Sequence, residues 1–154
     1  MWLIDSSKFI AWIREGKSPT RILRPFVLAD QVVTCGVIRL EVVRGTIKPA
    51  VRMELTALFD AIPEIPLSPS LWRRIADLAW DLDRRGMVLP ATDLIIGGCA
   101  LQAAASVVTV DSHFASIPGL NVRSDLPDLG YDGTDAPEEV QQGRKGVARP
   151  PSRG

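Results

Sequence analysis

The chain has 154 residues, of which 46% are hydrophobic, and its 18 basic and 18 acidic side chains cancel. That length suits one domain with a single substantial core, and the apolar content excludes a disordered protein. Zero net charge excludes a global attraction to nucleic acid, so any polyanion must be held by a local patch or through a metal.

Cys35 and Cys99 lie far apart without metal-type spacing, which predicts reduced thiols in a cytoplasmic protein. The N-terminus lacks a basic segment backed by a long apolar run, so no secretory signal is expected. No stretch approaches the roughly 18 apolar residues of a membrane span. A soluble cytoplasmic protein with no membrane contact is the expectation.

Trp2–Asp5 reads as a short buried strand. Ser6 or Ser7 can cap a following helix that carries Phe9, Ile10 and Ile13 and ends near Gly16. Pro19–Ala29 is predicted as a second helix, interrupted or bounded by Pro25. Val32–Thr34 is short and β-branched, a second strand. Gly36–Arg44, with Val37, Ile38, Leu40 and Val42, reads as a buried helix stopping at Gly45. Pro49–Ala61 places Val51, Leu55, Leu58 and Phe59 on one helical face. The prolines make Pro63–Leu67 extended, as an edge strand.

The clearest amphipathic helix starts at Ser68 or Ser70, repeats Leu71, Ile75, Leu78, Ala79 and Leu82, and ends at Arg84-Arg85-Gly86. Pro90 opens another helix, running to about Ala105. Val107–Val110 is a strand, Ser112–Ile117 a helical turn, and Leu120–Arg123 a last short strand. Beyond Pro127 the composition turns polar and apolar periodicity vanishes. Strands alternating with helices imply a parallel sheet with helices on both faces, which binds ligands outside the C-terminal strand ends.

Two acids fall at those ends. Asp5 closes the first strand and Asp111 the Val107–Val110 strand, and each is equally placed to cap the helical turn behind it. Glu41 interrupts an apolar helix. An ion pair with Arg44, three residues on, is its ordinary explanation, although an acid in such surroundings is partly buried, where unpaired charge is costly. Asp93 sits in a first helical turn, where it complements the helix dipole. Gly97, Ala100 and Ala104 follow on its face, a stripe of small residues that would bring this helix close to the sheet. Four acids in one cleft repel, and a divalent cation relieves them. Mg²⁺ and Mn²⁺ favour oxygen ligands. The chemistry suited to such a pocket is attack of a metal-activated water on a phosphodiester.

The stretches LIDSS at 3–7, VIRLEVVRG at 37–45, LPATDLIIGGCAL at 89–101 and TVDSHFASIPGLNV at 109–122 together resemble the PIN domain family of metal-dependent ribonucleases. Within it the VapC-type toxins of bacterial toxin–antitoxin pairs are most similar, over about residues 1–125. The resemblance implies an α/β, PIN-like three-layer fold with a central parallel β-sheet flanked by helices on both faces. Residues 1–127 would form the nuclease domain and 128–154 a flexible C-terminal tail. It implies that Asp5, Glu41, Asp93 and Asp111 line the catalytic pocket and bind Mg²⁺ or Mn²⁺. It further implies endonucleolytic cleavage of RNA, commonly tRNA or rRNA, together with a cognate antitoxin and a homodimeric state.

Ser6, Ser7 and Thr109 match positions whose hydroxyls support the acids, with helix capping and strand-end bonding as their ordinary roles. Where many relatives carry an additional acid or amide, this chain has Ser112 and His113. His113 beside Asp111 reads as a surface histidine next to buried Phe114, with RNA contact as the alternative. Arg39, Arg44, Arg84 and Arg85 are candidates for phosphate contacts, and otherwise form solvated helix faces. Trp12, Trp72 and Trp80 read as mostly core, with one available to line a groove for an antitoxin segment.

Other folds that place an aspartate after the first strand fit less well. Dehalogenase-like phosphatases need a second aspartate where Ser7 stands, and receiver domains need a lysine where Arg123 stands. Two alternatives keep the fold: a PIN module that binds without catalysis, and an RNA-processing nuclease with no antitoxin. A small neighbouring reading frame with a DNA-binding N-terminus would favour the toxin.

Overall fold

The computed structural model describes residues 1–128. The tail expected at 128–154 therefore lies, apart from Asp128, outside the described residues. The elements in chain order are β1 (Trp2–Ile4), α1 (Ser6–Arg14), α2 (Pro19–Leu28), β2 (Val32–Val33), α3 (Gly36–Arg44), α4 (Pro49–Ala61), α5 (Pro69–Arg84), α6 (Ala91–Gln102), β3 (Ser106–Val108) and β4 (Val122–Arg123). A 3₁₀ turn over Ser112–Ser116 lies between β3 and β4. All strand pairs are parallel, in the order β2-β1-β3-β4. The expected α/β class, with a central parallel sheet flanked by helices, is the observed one.

The centre of the sheet is β1 paired with β3, Leu3 opposite Val107 and Ile4 opposite Val108, and all four side chains are buried. Parallel strands buried on both faces read as continuous apolar runs, which is why these short segments stand out in the sequence. The edge segment at 63–67 is less regular than expected. It makes a single bridge, Thr34 to Glu64, with the Thr34 N–H donating to the Pro63 carbonyl (3.0 Å) and the Ile65 N–H to the Thr34 carbonyl (2.8 Å). Two prolines without N–H donors leave no longer ladder possible.

Helix starts follow their caps. Asp5 itself, rather than Ser6 or Ser7, caps α1, and Ser68 caps α5 by accepting from the Leu71 N–H (3.2 Å). Gly16 and Gly86, both at φ +75°, end α1 and α5 in the left-handed region. Pro25 lies inside α2 without ending it, because Leu23 and Phe26 anchor that helix in the core.

Three expectations about burial are corrected. In α3 only Ile38 and Val42 are buried, and Leu40 is 62% exposed. Trp12 is core, but Trp72 and Trp80 lie on the outer side of α5, whose inner stripe is Leu71, Ile75 and Leu82. In the small-residue stripe Gly97 and Ala100 are buried, whereas Ala104 lies beyond the end of α6 at φ +49°. Cys35 and Cys99 meet in the core as free thiols. A hydrogen bond between them holds Cys35 below its ordinary value and, with burial, pushes Cys99 far up. Lys8, mostly buried, ion-pairs with Asp125 and lies 5.8 Å from the Trp12 ring centroid, tying the segment after β4 to α1.

The two adjacent glycines of α6 are close-approach positions. A Cβ on Gly98 would collide with Ile75 of α5, and one on Gly97 with Ile117. Alanine at Gly98 gains about 1 kcal/mol of helix propensity but costs about 1–3 kcal/mol of overpacking. Gly98→Ala is therefore expected to destabilise the protein by about 1 kcal/mol in urea denaturation. The same change in an Ile75→Ala background is expected to be neutral or stabilising.

Candidate active site

The register of β1 on β3 builds the first half of the site. The Asp5 N–H donates to the Val108 carbonyl (2.9 Å), which fixes Asp5 beside Thr109 at the C-terminal end of the sheet. Its side chain is 3% exposed. Oδ2 accepts from the Ser7 N–H (3.2 Å), the Ser7 hydroxyl and Thr109 Oγ1 (2.9 Å). Among the described residues Oδ1 is approached only by Ser6 Oγ, at 3.5 Å, and so keeps lone pairs for another partner. Asp5 thus caps α1 and presents a second carboxylate oxygen at the strand end.

Ser6 donates its proton to Glu41 Oε2 at 2.7 Å, joining α1 to α3. This bond, rather than an ion pair with Arg44, is what Glu41 makes. Among the described residues no ion pair joins Glu41 to Arg44, and the Arg44 side chain is exposed.

The second half forms where the chain turns after β3. Asp111 caps the 3₁₀ turn, with Oδ1 accepting from the His113 N–H (2.9 Å) and its own N–H donating to Thr109 Oγ1 (2.9 Å). That tight turn carries the His113 ring back over the site. His113 Nδ1 lies 3.0 Å from Asp93 Oδ2 and 3.3 Å from Asp111 Oδ1. His113 is the expected surface histidine next to buried Phe114, and its ring in addition meets both acids. Burial pushes the Asp93 carboxyl above its ordinary value, and the charges of Asp111 and Asp5 add to this, while the hydrogen bond to His113 pulls the other way.

Three of the acids are thus connected: Thr109 links Asp5 to the Asp111 backbone, and His113 lies against both Asp111 and Asp93, while Glu41 takes the Ser6 proton and stands beside this network. Asp93, Asp111 and His113 each offer one ligand atom within 4.8 Å of the others, a donor set that fits one divalent cation. The four arginines stand apart from this network. Arg39 ion-pairs with Asp60, Arg84 lies over the Trp80 ring at 5.2 Å, and Arg85 caps the end of α5.

A parallel α/β domain that gathers carboxylates at its strand ends presents an acidic pocket where such sheets bind their ligands. The sequence matches the PIN domain family over residues 2–120, and the chain belongs to that family. The family implies a nuclease of the hydrolase class. No curated protein matches the chain.

Solved structures share the fold. A chain of VapBC2 from Rickettsia felis bound to promoter DNA aligns with TM-score 0.64 and 17% identity, over 79% of this chain and 96% of that one. VapBC-1 of nontypeable Haemophilus influenzae gives 0.63 and 16%, with the same coverage. VapBC-5 of Mycobacterium tuberculosis, a toxin–antitoxin system, gives 0.53 and 26%, over 79% and 94%. No helix among the described residues is long and apolar enough to cross a membrane.

Two outcomes follow from this geometry. Thr109→Val removes a donor from the buried Asp5 and an acceptor from the Asp111 N–H, and is expected to cost about 2 kcal/mol in urea denaturation, with Thr109→Ser retaining most of it. Asp93, with a folded pKa above its ordinary 3.8, weakens the fold as pH rises from 3.8 through the raised value. Metal-free Asp93→Asn is therefore expected to melt a few degrees above the wild type at pH 7. The gap is expected to close below the ordinary carboxylate range, where both forms are neutral.

Proposed function

We propose that the protein is a metal-dependent endoribonuclease that hydrolyses RNA phosphodiester bonds, and that it is the toxin of a type II toxin–antitoxin module. The observation that supports this reading is the hydrogen-bonded network of Asp5, Asp111 and Asp93 at the sheet's C-terminal edge, with Glu41 held beside it by Ser6, in a chain of the PIN family. The toxin assignment is supported by neighbours that are VapBC complexes. By that analogy the partners are a cognate antitoxin and a second copy of the chain, and the substrate is a cytoplasmic structured RNA such as tRNA or rRNA.

Asp93 and Asp111 would hold Mg²⁺ or Mn²⁺, with Asp5 Oδ1 and Glu41 reaching it directly or through its waters. A bound cation would supply a low-pKa water and neutralise charge on the phosphorus oxygens. Asp5 and Glu41 would orient that water by accepting its hydrogen bonds. Ser6, Ser7 and Thr109 hold these carboxylates in place by donating to their other oxygens. His113, beside two carboxylates and half exposed, holds Asp93 and Asp111 in register and is positioned to pass a proton to solvent. Arg39, Arg44, Arg84 and Arg85 supply phosphate contacts outside the pocket.

The test is cleavage of a structured RNA pool by purified, antitoxin-free protein with Mg²⁺ or Mn²⁺. Cleavage is expected to stop with a chelator and to fall about a hundredfold or more in Asp93→Asn, which stays folded. Cleavage surviving Asp93→Asn would place the activity elsewhere. No cleavage of any RNA, with no divalent-ion binding by calorimetry, would leave a binding module.

A further inference from the structure

We propose that the cleft between α3 and α4 binds the RNA strand that flanks the cleavage site, a reading that rests on the ribonuclease function proposed above. The two helices border an open depression of about 650 Å³ lined by Arg39, Arg44 and Arg52, with Leu40, Val43 and Thr56 between them. Among the described residues no acidic side chain lines it. In a chain whose charges cancel overall, three guanidinium groups line one cleft, and two of them, Arg44 and Arg52, have no ion pair among the described residues.

The three are not equivalent. Arg39 ion-pairs with Asp60, which joins α3 to α4 and offsets the charge of that guanidinium. Arg44 and Arg52 are exposed and form no ion pair among the described residues. Their planar forks match phosphate oxygens bidentately. Leu40, 62% exposed, and Val43 give a ribose or base an apolar surface. The volume lies within the roughly 300–1,000 Å³ of ordinary ligand sites, enough for a nucleotide unit with its phosphates.

Position connects the cleft to the acidic pocket. Glu41 and Arg44 are one turn apart on α3 and so are neighbours on the helix surface, which puts the cleft beside the residue that Ser6 holds. The pocket's own carboxylates repel phosphates, and an RNA strand needs cations on its flank to approach them. An acidic protein segment finds the same arginines, but the neighbouring carboxylates repel it with no metal-borne phosphate to compensate.

The test uses the full chain carrying Asp93→Asn, so that binding is read without cleavage. A labelled stem-loop RNA with single-stranded flanks is titrated by fluorescence anisotropy across a range of salt. Arg44→Glu with Arg52→Glu is expected to weaken binding about tenfold or more, and to reduce the log–log salt slope by about 1.4, two phosphate contacts at about 0.7 each. Arg44→Ala with Arg52→Ala is expected to shift both readouts the same way, and circular dichroism checks that the variants fold. Arg73→Glu with Arg74→Glu, an equal charge reversal on α5, is expected to change binding less than twofold.

Equal losses in the α5 control, or no loss in the cleft variants, would overturn the proposal. Tighter cleft-dependent binding of a glutamate-rich peptide than of RNA would overturn it in favour of an acidic protein partner. In the cleavage-competent background the cleft reversal is expected to raise KM with kcat little changed. Binding through the cleft without any cleavage would defeat the nuclease reading and leave the cleft standing. Normal cleavage and binding by the cleft variants would do the reverse.

Discussion

The Asp5 carboxylate lies at the end of the central strand, 3% exposed, with no cation beside it among the described residues. Taking an ionised carboxylate out of water is costly unless hydrogen bonds replace the lost hydration. Here they come from neutral groups: the first-turn amide and hydroxyl of Ser7, and the hydroxyl of Thr109. Each donor depends on a different piece of the fold. Ser7 is in place because α1 starts directly after β1. Thr109 is in place because β1 and β3 pair in one register, and a slip by one residue would turn every side chain to the other face. The strand pairing, the helix start and the loop after β3 are therefore coupled through one side chain.

Neutral donors leave the charge in place, and that charge acts on the rest of the pocket. Asp93 feels the negative charges of Asp5 and Asp111 in addition to its own burial, and its proton is held more tightly as a result. His113 offsets part of this by bonding to both neighbouring acids. A pocket of this kind is a poor stabiliser of the empty fold. Anything positive that binds it in the folded state alone stabilises the chain by mass action.

Much of this was legible in the sequence, for identifiable reasons. Leu3-Ile4 and Val107-Val108 stood out because doubly covered parallel strands need unbroken apolar runs, and the acids ending them could be placed without a structure. The partners could not. Ser6 reaching Glu41 depends on how α1 meets α3, which no local pattern encodes, and the nearer Arg44 drew attention instead. That the exposed His113 also meets Asp93 and Asp111 was not legible, because a 3₁₀ turn, short and without periodicity, decides where its ring goes. Pro63–Leu67 looked like a strand because its backbone is extended, but extension alone does not supply donors for a ladder. Trp72 and Trp80 looked like core because of their size, although the position of a side chain on α5 is set by the Leu71–Ile75–Leu82 stripe.

α3 shows how one short helix serves both signs of charge. Its buried stripe is only Ile38 and Val42, one turn apart, with the buried Cys35 preceding the helix. So narrow an anchor leaves most of the circumference free. Glu41 occupies the side that meets Ser6 of α1, while Arg39, Leu40, Val43 and Arg44 face the cleft toward α4. The helix therefore reads as weakly amphipathic, because polar residues on two separate faces obscure the apolar stripe. A residue such as Leu40, which looks like core in a periodicity count, is exposed because it borders that cleft. The mismatch between local pattern and observed burial falls on the helix that has the acidic pocket on one side and the basic cleft on the other. That is where a binding surface, rather than the core, determines the sequence.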